Sequence, residues 1–268
     1  AAALYIPGLP AILHVAVVLV AGALGGAAFG AIPGYCKAVY AADEIVVTLM
    51  LNFVAVLTVS YLVAGPMIDP GGGGFPQTAF VPDSARLPGI LPPSRLHLGF
   101  FIALALAVAS WAFLRRTTLG YEIRMSGLNP EFARYGGISP RRAIILAMVV
   151  SGGLAGVAGA LQVIGDQGRL IDRFSSQYGF VGILIALLAR NNPLFVPLAA
   201  IFYAYLETGA AVMEQTTDVP REVVIVVQAI LFLLITSQAL LLWLRRRREP
   251  GAGPAVREPE AKEEVTPA

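Results

Sequence analysis

Residues 123–139 read IRMSGLNPEFARYGGIS and form a polar, cationic stretch between two long apolar runs. Asn129 can cap a helix N-terminus, and Pro130 suits the first helical position, where a missing N–H is harmless. Glu131 complements the positive end of the helix dipole, and the two glycines that follow can supply a left-handed closing residue. The pattern predicts a helix of about two turns over 130–135, inside a polar loop.

The composition places this loop in a membrane protein. The chain has 268 residues, of which 57% are hydrophobic and 13% are charged. Soluble domains carry about 25% charged residues. Together with a mean hydropathy of +0.73, these values predict an integral membrane protein.

Cysteine and histidine offer little metal or redox chemistry. A single cysteine, Cys36, excludes a disulfide framework within the chain and a four-cysteine metal site. His14 and His97 lie far apart in sequence and flank different apolar runs. We expect each to be a packed or interfacial side chain rather than a metal ligand, and we predict no metal site.

The apolar runs predict the fold class. A helix that crosses a bilayer needs about 20 apolar residues. Six runs have this length or come close to it: 10–31, 44–65, 98–114, 143–164, 194–211 and 221–244. A seventh, 179–189, has half of it and reads as a broken or re-entrant helix. The sequence predicts an all-α, polytopic transmembrane helical bundle of about six full spans plus this short helix.

Arginine predicts the orientation. Loop 115–142 holds six arginines, and the last span ends in four more at 245–248, so both should be cytoplasmic. Segment 66–97, rich in Pro and Gly, is then an extracytoplasmic loop. The two cationic regions lie on the same side of the membrane only if an even number of spans separates them, which requires 179–189 to cross. Residues 1–248 form the predicted transmembrane domain, and 249–268 a disordered cytoplasmic tail.

Two spans carry small residues at every fourth position. The first span has Gly22, Gly26 and Gly30, and a later span has Gly152, Gly156 and Ala160. Small residues at this spacing form a groove that another helix backbone can approach. Ordinary bundle packing and a moving interface both remain open.

The catalytic motifs that we sought are absent. The sequence has no GxxxxGK[ST], HExxH or GxSxG pattern, and few acids lie in or beside the spans. We therefore predict no catalytic residues and no enzyme activity. A rival hypothesis is a membrane-embedded enzyme with its site in the 165–178 loop, using Asp166 and Asp172.

Polar residues in the second span share one helix face. Glu44, Thr48 and Asn52 recur at every fourth position. Burying an unpartnered amide in hydrocarbon is costly, so Asn52 should face the bundle or a wet cavity. Thr48 and Asn52 either hydrogen-bond a neighbouring helix or line a substrate path.

A short rigid helix between two spans can transmit force. Exposed Phe132 and Tyr135 beside Arg134 suit docking, because aromatic residues and arginine often supply interface energy. A soluble partner that held this helix could move both flanking spans. The alternative is an amphipathic helix on the anionic inner leaflet, assisted by Arg124 and Arg134.

Several blocks of sequence resemble one known family. The pattern GYEIRMSGLNPEFARYGGIS at 120–139 is similar to the cytoplasmic coupling loop of bacterial ABC-importer permeases. The blocks at 37–55, 71–79, 145–163 and 179–194 follow in the family's order. The chain resembles the branched-chain amino acid/ribose/nucleoside permease family, and most closely its nucleoside and simple-sugar subgroup.

The resemblance implies a pore-forming subunit in the bacterial cytoplasmic (inner) membrane, with a cytoplasmic C-terminus. Its partners would be ATP-binding cassette subunits, a second permease subunit, an extracytoplasmic substrate-binding lipoprotein and membrane lipid, without nucleic acid. ATP would bind the ATPase subunits, and this chain would hold no cofactor. Family members usually have further spans before the equivalent of 10–31.

The resemblance also assigns roles to residues. Thr48 and Asn52 are implied for the translocation path. Branched-chain amino acids are the alternative substrate to nucleosides or simple sugars. By matching position, the residues that would seat in the ATPase cleft are Asn129, Pro130, Glu131, Ala133, Arg134 and Tyr135.

Overall fold

A computed structural model describes residues 3, 10–71, 73–90, 96–172, 174, 178–216, 226 and 229–230. The predicted last span, apart from residues 226 and 229–230, and the predicted tail lie outside these residues. The α-helices in the described part are α1 (Ala11–Tyr40), α2 (Glu44–Ala64), α3 (Gly99–Arg116), α4 (Thr118–Leu128), α5 (Pro130–Tyr135), α6 (Pro140–Gln162), α7 (Tyr178–Leu188) and α8 (Val196–Thr216).

The predicted fold class is confirmed. Five helices in the described part are long and apolar enough to cross a membrane: α1, α2, α3, α6 with its continuation to Gln167, and α8. They match five of the six predicted full spans. Among the described residues, β-type pairing is limited to two isolated β-bridges, Gln77 with Ile171 and Gly89 with His97.

Helix α1 is longer than the apolar run predicted. The apolar run was predicted to span residues 10–31, and Pro33 lies just beyond it, where proline disfavours a continuing helix. The helix instead continues through Pro33 to Tyr40 and ends where Ala41 takes a left-handed conformation with φ 52°. Its added turns pack on α6, where a side chain at Gly34 would lie 2.9 Å from Cβ of Met148. Tertiary packing outweighs the local break.

The predicted loop 115–142 is mostly helical. Thr117 ends α3 and begins α4: its hydroxyl donates to the Phe113 carbonyl oxygen at 2.6 Å and accepts from the Gly120 N–H at 3.0 Å. Gly120 lets the two helices meet closely, since a Cβ there would lie 2.6 Å from Cα of Leu114. The sequence pattern predicted α5 but not α4, whose mixed composition gives no clear helical period.

The two small-residue stripes face each other. A Cβ at Gly22 would lie 2.8 Å from the Gly156 carbonyl oxygen, and one at Gly30 would lie 2.6 Å from the Met148 carbonyl oxygen. Residues later in α1 therefore contact residues earlier in α6, so the two helices are antiparallel. We call this contact the glycine seam; its members are Gly22, Gly26, Gly30, Gly152, Gly156 and Ala160. The predicted close approach is confirmed.

Segments 76–87 and 163–172 join at one end of the seam, and we call them the cap. Helix α6 continues there as a π-helical turn, Val163–Gln167, which Gly168 ends at φ 66°. Backbone hydrogen bonds cross between the two segments: Thr78 N–H to Leu170 O (2.9 Å), Val81 N–H to Gly168 O (2.7 Å) and Leu87 N–H to Ile164 O (3.0 Å).

Both histidines are packed against the cap end of the bundle. His14 is fully buried, and its Nδ1 hydrogen-bonds Oγ of Ser84 at 3.0 Å. His97 accepts a hydrogen bond from the Gly99 N–H at 3.1 Å, and its ring lies over Gly165. The expectation of packed side chains is confirmed. We call the opposite end of the seam, where α3 to α6 are connected, the loop end.

Helix α7 is short. Its eleven residues extend about 16 Å, roughly half of a bilayer core. A turn follows it: Arg190 and Asn191 have positive φ, and the Asn192 side chain accepts from the Leu194 N–H at 3.2 Å. The chain divides into two compact units, 1–200 and 201–268. In the second, the Tyr203 hydroxyl donates to Glu207 at 3.4 Å.

Candidate coupling site and exposed polar face

Asn129 separates α4 from α5. Its backbone N–H donates to the Met125 carbonyl oxygen at 3.1 Å and completes α4. Its side-chain oxygen accepts from the N–H groups of Glu131 and Phe132, both at 3.0 Å, and caps α5. Pro130 takes the first helical position. The predicted bounds, 130–135, are those observed, because every signal that specifies them is local.

The C-terminus of α5 is closed by a glycine. Gly137 has φ 77°, a conformation that costs glycine little, and its N–H donates to the Arg134 carbonyl oxygen at 3.0 Å. The Ile138 N–H donates to Ala133 O at 2.9 Å. The helix is therefore closed at both ends before the chain enters α6.

Apolar and aromatic side chains are exposed on α5 and at the end of α4. Tyr135 is 92% exposed, Leu128 80% and Phe132 60%. We call these three residues the knob. Arg134 and Glu131 are also exposed. Exposed aromatic residues beside arginine are typical of a surface that a protein partner covers.

Ala133 and Leu128 refine the set identified from the sequence. Ala133 is 1% exposed, so its side chain faces the rest of the chain and holds α5 in place. Leu128 was missed because it ends α4, a helix that the sequence pattern did not predict. No helical spacing links it to Phe132, because the extended backbone of Asn129 interrupts the helix between them.

Helix α5 is joined to α6 by a short connection, residues 136–139. Pro140 starts α6 and is buried, as is Ala143 one turn later. An open cleft of about 420 Å³ lies beside this connection, and the arginines Arg134 and Arg141 line it. A displacement of α5 would therefore reach α6 through very few flexible residues.

Thr48 and Asn52 lie on an exposed face of α2. The Thr48 hydroxyl donates to the Glu44 carbonyl oxygen of its own helix at 2.7 Å and does not bridge to another helix. The Asn52 side chain is exposed, and within the described part of the chain it makes no hydrogen bond. Of the two alternatives raised from the sequence, bonding between helices is not observed within these residues.

The turn between α1 and α2 gathers charge at the loop end. The Asp43 side chain accepts from the Ile45 N–H at 2.8 Å and caps α2. Glu44 forms an ion pair with Lys37 on α1. Since both side chains are partly exposed, the pair stabilises the turn only modestly. Glu44 therefore has a partner within the turn, whereas Asn52 on the same helix face makes no hydrogen bond within the described residues.

The 165–178 loop has a structural role in its described part. Asp166 accepts a hydrogen bond from the Gln162 side chain at 3.2 Å. The Asp172 N–H donates to the Pro76 carbonyl oxygen at 3.2 Å, which adds a further tie between the cap segments.

Comparison with known proteins identifies the class as a membrane transport permease. The family described as "Branched-chain amino acid transport system / permease component" matches residues 1–236. The chain belongs to this family. It is accordingly a multi-pass protein of the cell membrane.

The relatives include sugar and nucleoside permeases. The glucose ABC transporter permease protein TsgB13 of Haloferax volcanii is 36% identical over 86% of this chain and 63% of its own length. The guanosine ABC transporter permease protein NupP of Bacillus subtilis is 34% identical over 91% and 71%. The nucleoside ABC transporter permease protein NupB of Lactococcus lactis is 30% identical over 95% and 72%.

The match covers only part of these relatives. The chain spans somewhat less than two thirds of the glucose permease protein and about seven tenths of the two nucleoside permease proteins. No solved structure matches the chain.

Proposed function

We propose that the chain is a pore-forming permease subunit of an ATP-binding-cassette importer, which moves a small polar solute across the cytoplasmic membrane. The observation that carries the proposal is the knob: apolar side chains exposed at the end of α4 and on α5, a helix that is closed at both ends and joined to α6 by residues 136–139. Exposed apolar surface of this kind marks a partner interface. Family membership makes an ATPase the partner to test.

In this proposal the ATPase subunits and the permease subunit have different tasks. The ATPase subunits bind and hydrolyse ATP, so this chain itself needs no cofactor and no catalytic residue. Asn129, Pro130 and Ala133 shape α5, whereas Glu131, Arg134, Phe132 and Tyr135 reach the ATPase. Closure of the ATPases would pull α5, and α6 would carry the movement into the membrane. The loop end and the C-terminus are cytoplasmic in this proposal.

The substrate is a nucleoside or a simple sugar. Relatives named for glucose, guanosine and nucleosides support this choice over a branched-chain amino acid. The exposed face of α2 supports it as well, because a free Asn52 amide can both donate to and accept from hydroxyl or base groups. A second permease subunit would cover this face and complete the pore, and a substrate-binding lipoprotein would deliver the solute to the opposite side.

Co-purification tests the role of the knob. The chain would be co-expressed with the ATPase, second permease and lipoprotein of its transporter, and residues 129–135 would be scrambled. We expect the ATPase to be lost from the purified complex, together with uptake of radiolabelled guanosine and glucose. Retained assembly and uptake would refute the coupling role.

A membrane-embedded enzyme makes a different prediction. In that case Asp166→Ala and Asp172→Ala should abolish turnover of a substrate without any requirement for the ATPase. Uptake that depends on the ATPase and persists in these variants would exclude the enzyme hypothesis.

A further inference from the structure

We propose that the cleft beside residues 136–139 receives a carboxylate side chain of the ATPase, which Arg134 of α5 and Arg141 of α6 hold together. The inference rests on the proposed function, because it takes the ATPase as the partner that covers the knob. It goes further by stating the charge that the ATPase presents beside the knob, and by adding a point of attachment on α6.

The cleft is open and cationic. Its volume is about 420 Å³, and residues 137–140 line it together with the two arginines. None of these lining residues is acidic. Arg134 and Arg141 are both exposed, and neither forms an ion pair within the described part of the chain. Two guanidinium groups therefore border a space to which this part of the chain supplies no anion.

The sequence around the cleft carries the same charge. Residues 115–142 contain six arginines and two glutamates. A basic partner surface would be repelled here, whereas an acidic one is complementary in charge. The partner that covers this region is therefore expected to be acidic beside the cleft.

The cleft is continuous with the knob through Arg134. Successive residues of an α-helix are separated by about 100° around its axis. Ala133 is 1% exposed and Tyr135 is 92% exposed, so Arg134 lies between the buried and the outward side of α5. A partner that covers Tyr135 also removes water from Arg134. This removal is costly unless an anion replaces the water, and a carboxylate matches the planar fork of a guanidinium group.

The direction of Tyr135 favours a soluble partner over a lipid phosphate. Helix α5 contacts α4 and α6. Ala133 is buried in this region, and Tyr135 lies roughly 160° away from it around the helix. An amphipathic helix on the inner leaflet would turn its apolar side chains into the bilayer. Tyr135 instead points away from the side of α5 that is buried against the rest of the chain.

A shared carboxylate would join α5 to α6. An ionised carboxyl group has two oxygens and accepts several hydrogen bonds, so it can bind both guanidinium groups at once. The chain itself connects the two helices through residues 136–139, where Gly137 has φ 77°. With both arginines bound, a pull by the ATPase would act on α6 directly as well as through this connection.

Arg142 offers a matched control for Arg141. It is also exposed and follows Arg141 on α6, but it does not line the cleft. Arg141→Gln and Arg142→Gln therefore remove the same charge from the same helical turn, and only the first changes the cleft. The affinity of the purified ATPase for the two permease subunits would be measured in nanodiscs of phosphatidylcholine.

We expect Arg141→Gln to weaken ATPase binding about tenfold, as for the loss of a hydrogen bond between charged groups. Arg142→Gln should bind the ATPase as the unmodified chain does. Equal affinities of the two variants would overturn this inference and leave the proposed function intact. If the unmodified chain bound no ATPase, the proposed function would be overturned, and the inference with it.

Nanodiscs that also contain phosphatidylglycerol test the lipid alternative. We expect the unmodified chain to bind the ATPase equally well in both membranes. Binding that requires phosphatidylglycerol, and that loses this requirement in Arg141→Gln, would place a lipid phosphate in the cleft and overturn the inference.

A double variant tests whether one carboxylate is shared. If Arg134 and Arg141 bound separate groups, the losses of affinity in Arg134→Gln and Arg141→Gln would multiply in the double variant. A shared carboxylate makes the loss in the double variant smaller than this product. Losses that multiply would overturn the shared contact.

Ser139 keeps the test decisive if Arg141→Gln fails to fold. Ser139 lines the cleft, is exposed and makes no side-chain capping bond, so it can be replaced at little cost. Ser139→Glu would supply the cleft with a carboxylate from the chain itself, and Ser139→Gln is its uncharged match. We expect Ser139→Glu to bind the ATPase several-fold more weakly than Ser139→Gln. Equal affinities would overturn the inference.

Discussion

The side-chain oxygen of Asn129 lies 3.0 Å from the backbone nitrogen of Phe132 and accepts its hydrogen bond. This contact fixes where α5 begins, and it holds Phe132 at a defined place on the knob. Asn129 also completes the preceding helix, so a single residue sets the angle between α4 and α5.

Removing this cap should loosen α5. Asn129→Ala loses two hydrogen bonds and about 1 kcal/mol of local helix stability. We expect faster hydrogen exchange at Phe132 and weaker binding of the ATPase. Asn129→Asp is the matched control, because aspartate caps helices as well as asparagine does. If the alanine and aspartate variants bind the ATPase equally well, the N-cap hydrogen bonds of Asn129 have no part in coupling.

The knob should contribute to binding but not to folding. Tyr135→Ala removes a side chain that is 92% exposed, so the thermal stability of the chain alone should not change. Affinity for the ATPase should fall about tenfold or more, as for a binding hot spot. Tyr121→Ala on α4 is the control, since Tyr121 is 50% exposed and lies outside the knob. An equal loss in both variants would contradict the assignment.

The glycine seam should tolerate no added carbon. A Cβ at Gly26 would lie 2.8 Å from Cα of Gly156. We expect Gly26→Ala to destabilise the chain by about 1–3 kcal/mol, a typical cost of overpacking. Gly25→Ala on the same helix should have little effect, because its Cβ meets no neighbour. The two variants would be heated in detergent, and the fraction that stays folded would be measured by size-exclusion chromatography.

Comparing two threonines of α2 tests whether Thr48 lines the translocation path. The hydroxyls of Thr48 and Thr58 each donate at 2.7 Å to the carbonyl oxygen four residues earlier. Thr48→Val and Thr58→Val should therefore change stability to the same small extent. If Thr48 lines the path, only its replacement should raise the KM for uptake. Equal KM values would remove Thr48 from the path.

Asn52 should matter for transport and not for assembly. Asn52→Leu removes an exposed amide from a membrane helix, so the chain alone should become no less stable. Uptake should fall, because the path loses a group that both donates and accepts hydrogen bonds. Measuring uptake beside the yield of the assembled complex would distinguish these effects. Normal uptake by this variant would contradict the placement of the path.

The parts of the fold that were predictable are those specified locally. The N-cap residue Asn129, the first-turn proline and the closing glycine of α5 lie within ten residues, and they predicted its bounds correctly. The small-residue stripes predicted a close helix contact but not which helices meet. Helix α1 continues past residue 31, the predicted end of the apolar run, because its last turns pack against α6.

The cap could not be predicted because its contacts are distant in sequence. His14 and Ser84 are 70 residues apart, and Thr78 and Leu170 are 92 apart. The Ile164 carbonyl oxygen, in the π-helical turn, accepts from the Leu87 N–H, and no local sequence pattern predicts a contact between residues so far apart. The Pro- and Gly-rich composition of 66–97 predicted a loop, but it gave no sign of where the described part of that loop is held.

The most direct test of the account is the side of the membrane on which Phe132 lies. In a Cys36→Ser background, Phe132→Cys would be treated with a membrane-impermeant maleimide in intact cells and in inside-out vesicles. The account predicts labelling in the vesicles only, with protection when the ATPase is bound. Labelling in intact cells would place the knob outside, where no ATPase can reach it, and would contradict the proposed mechanism.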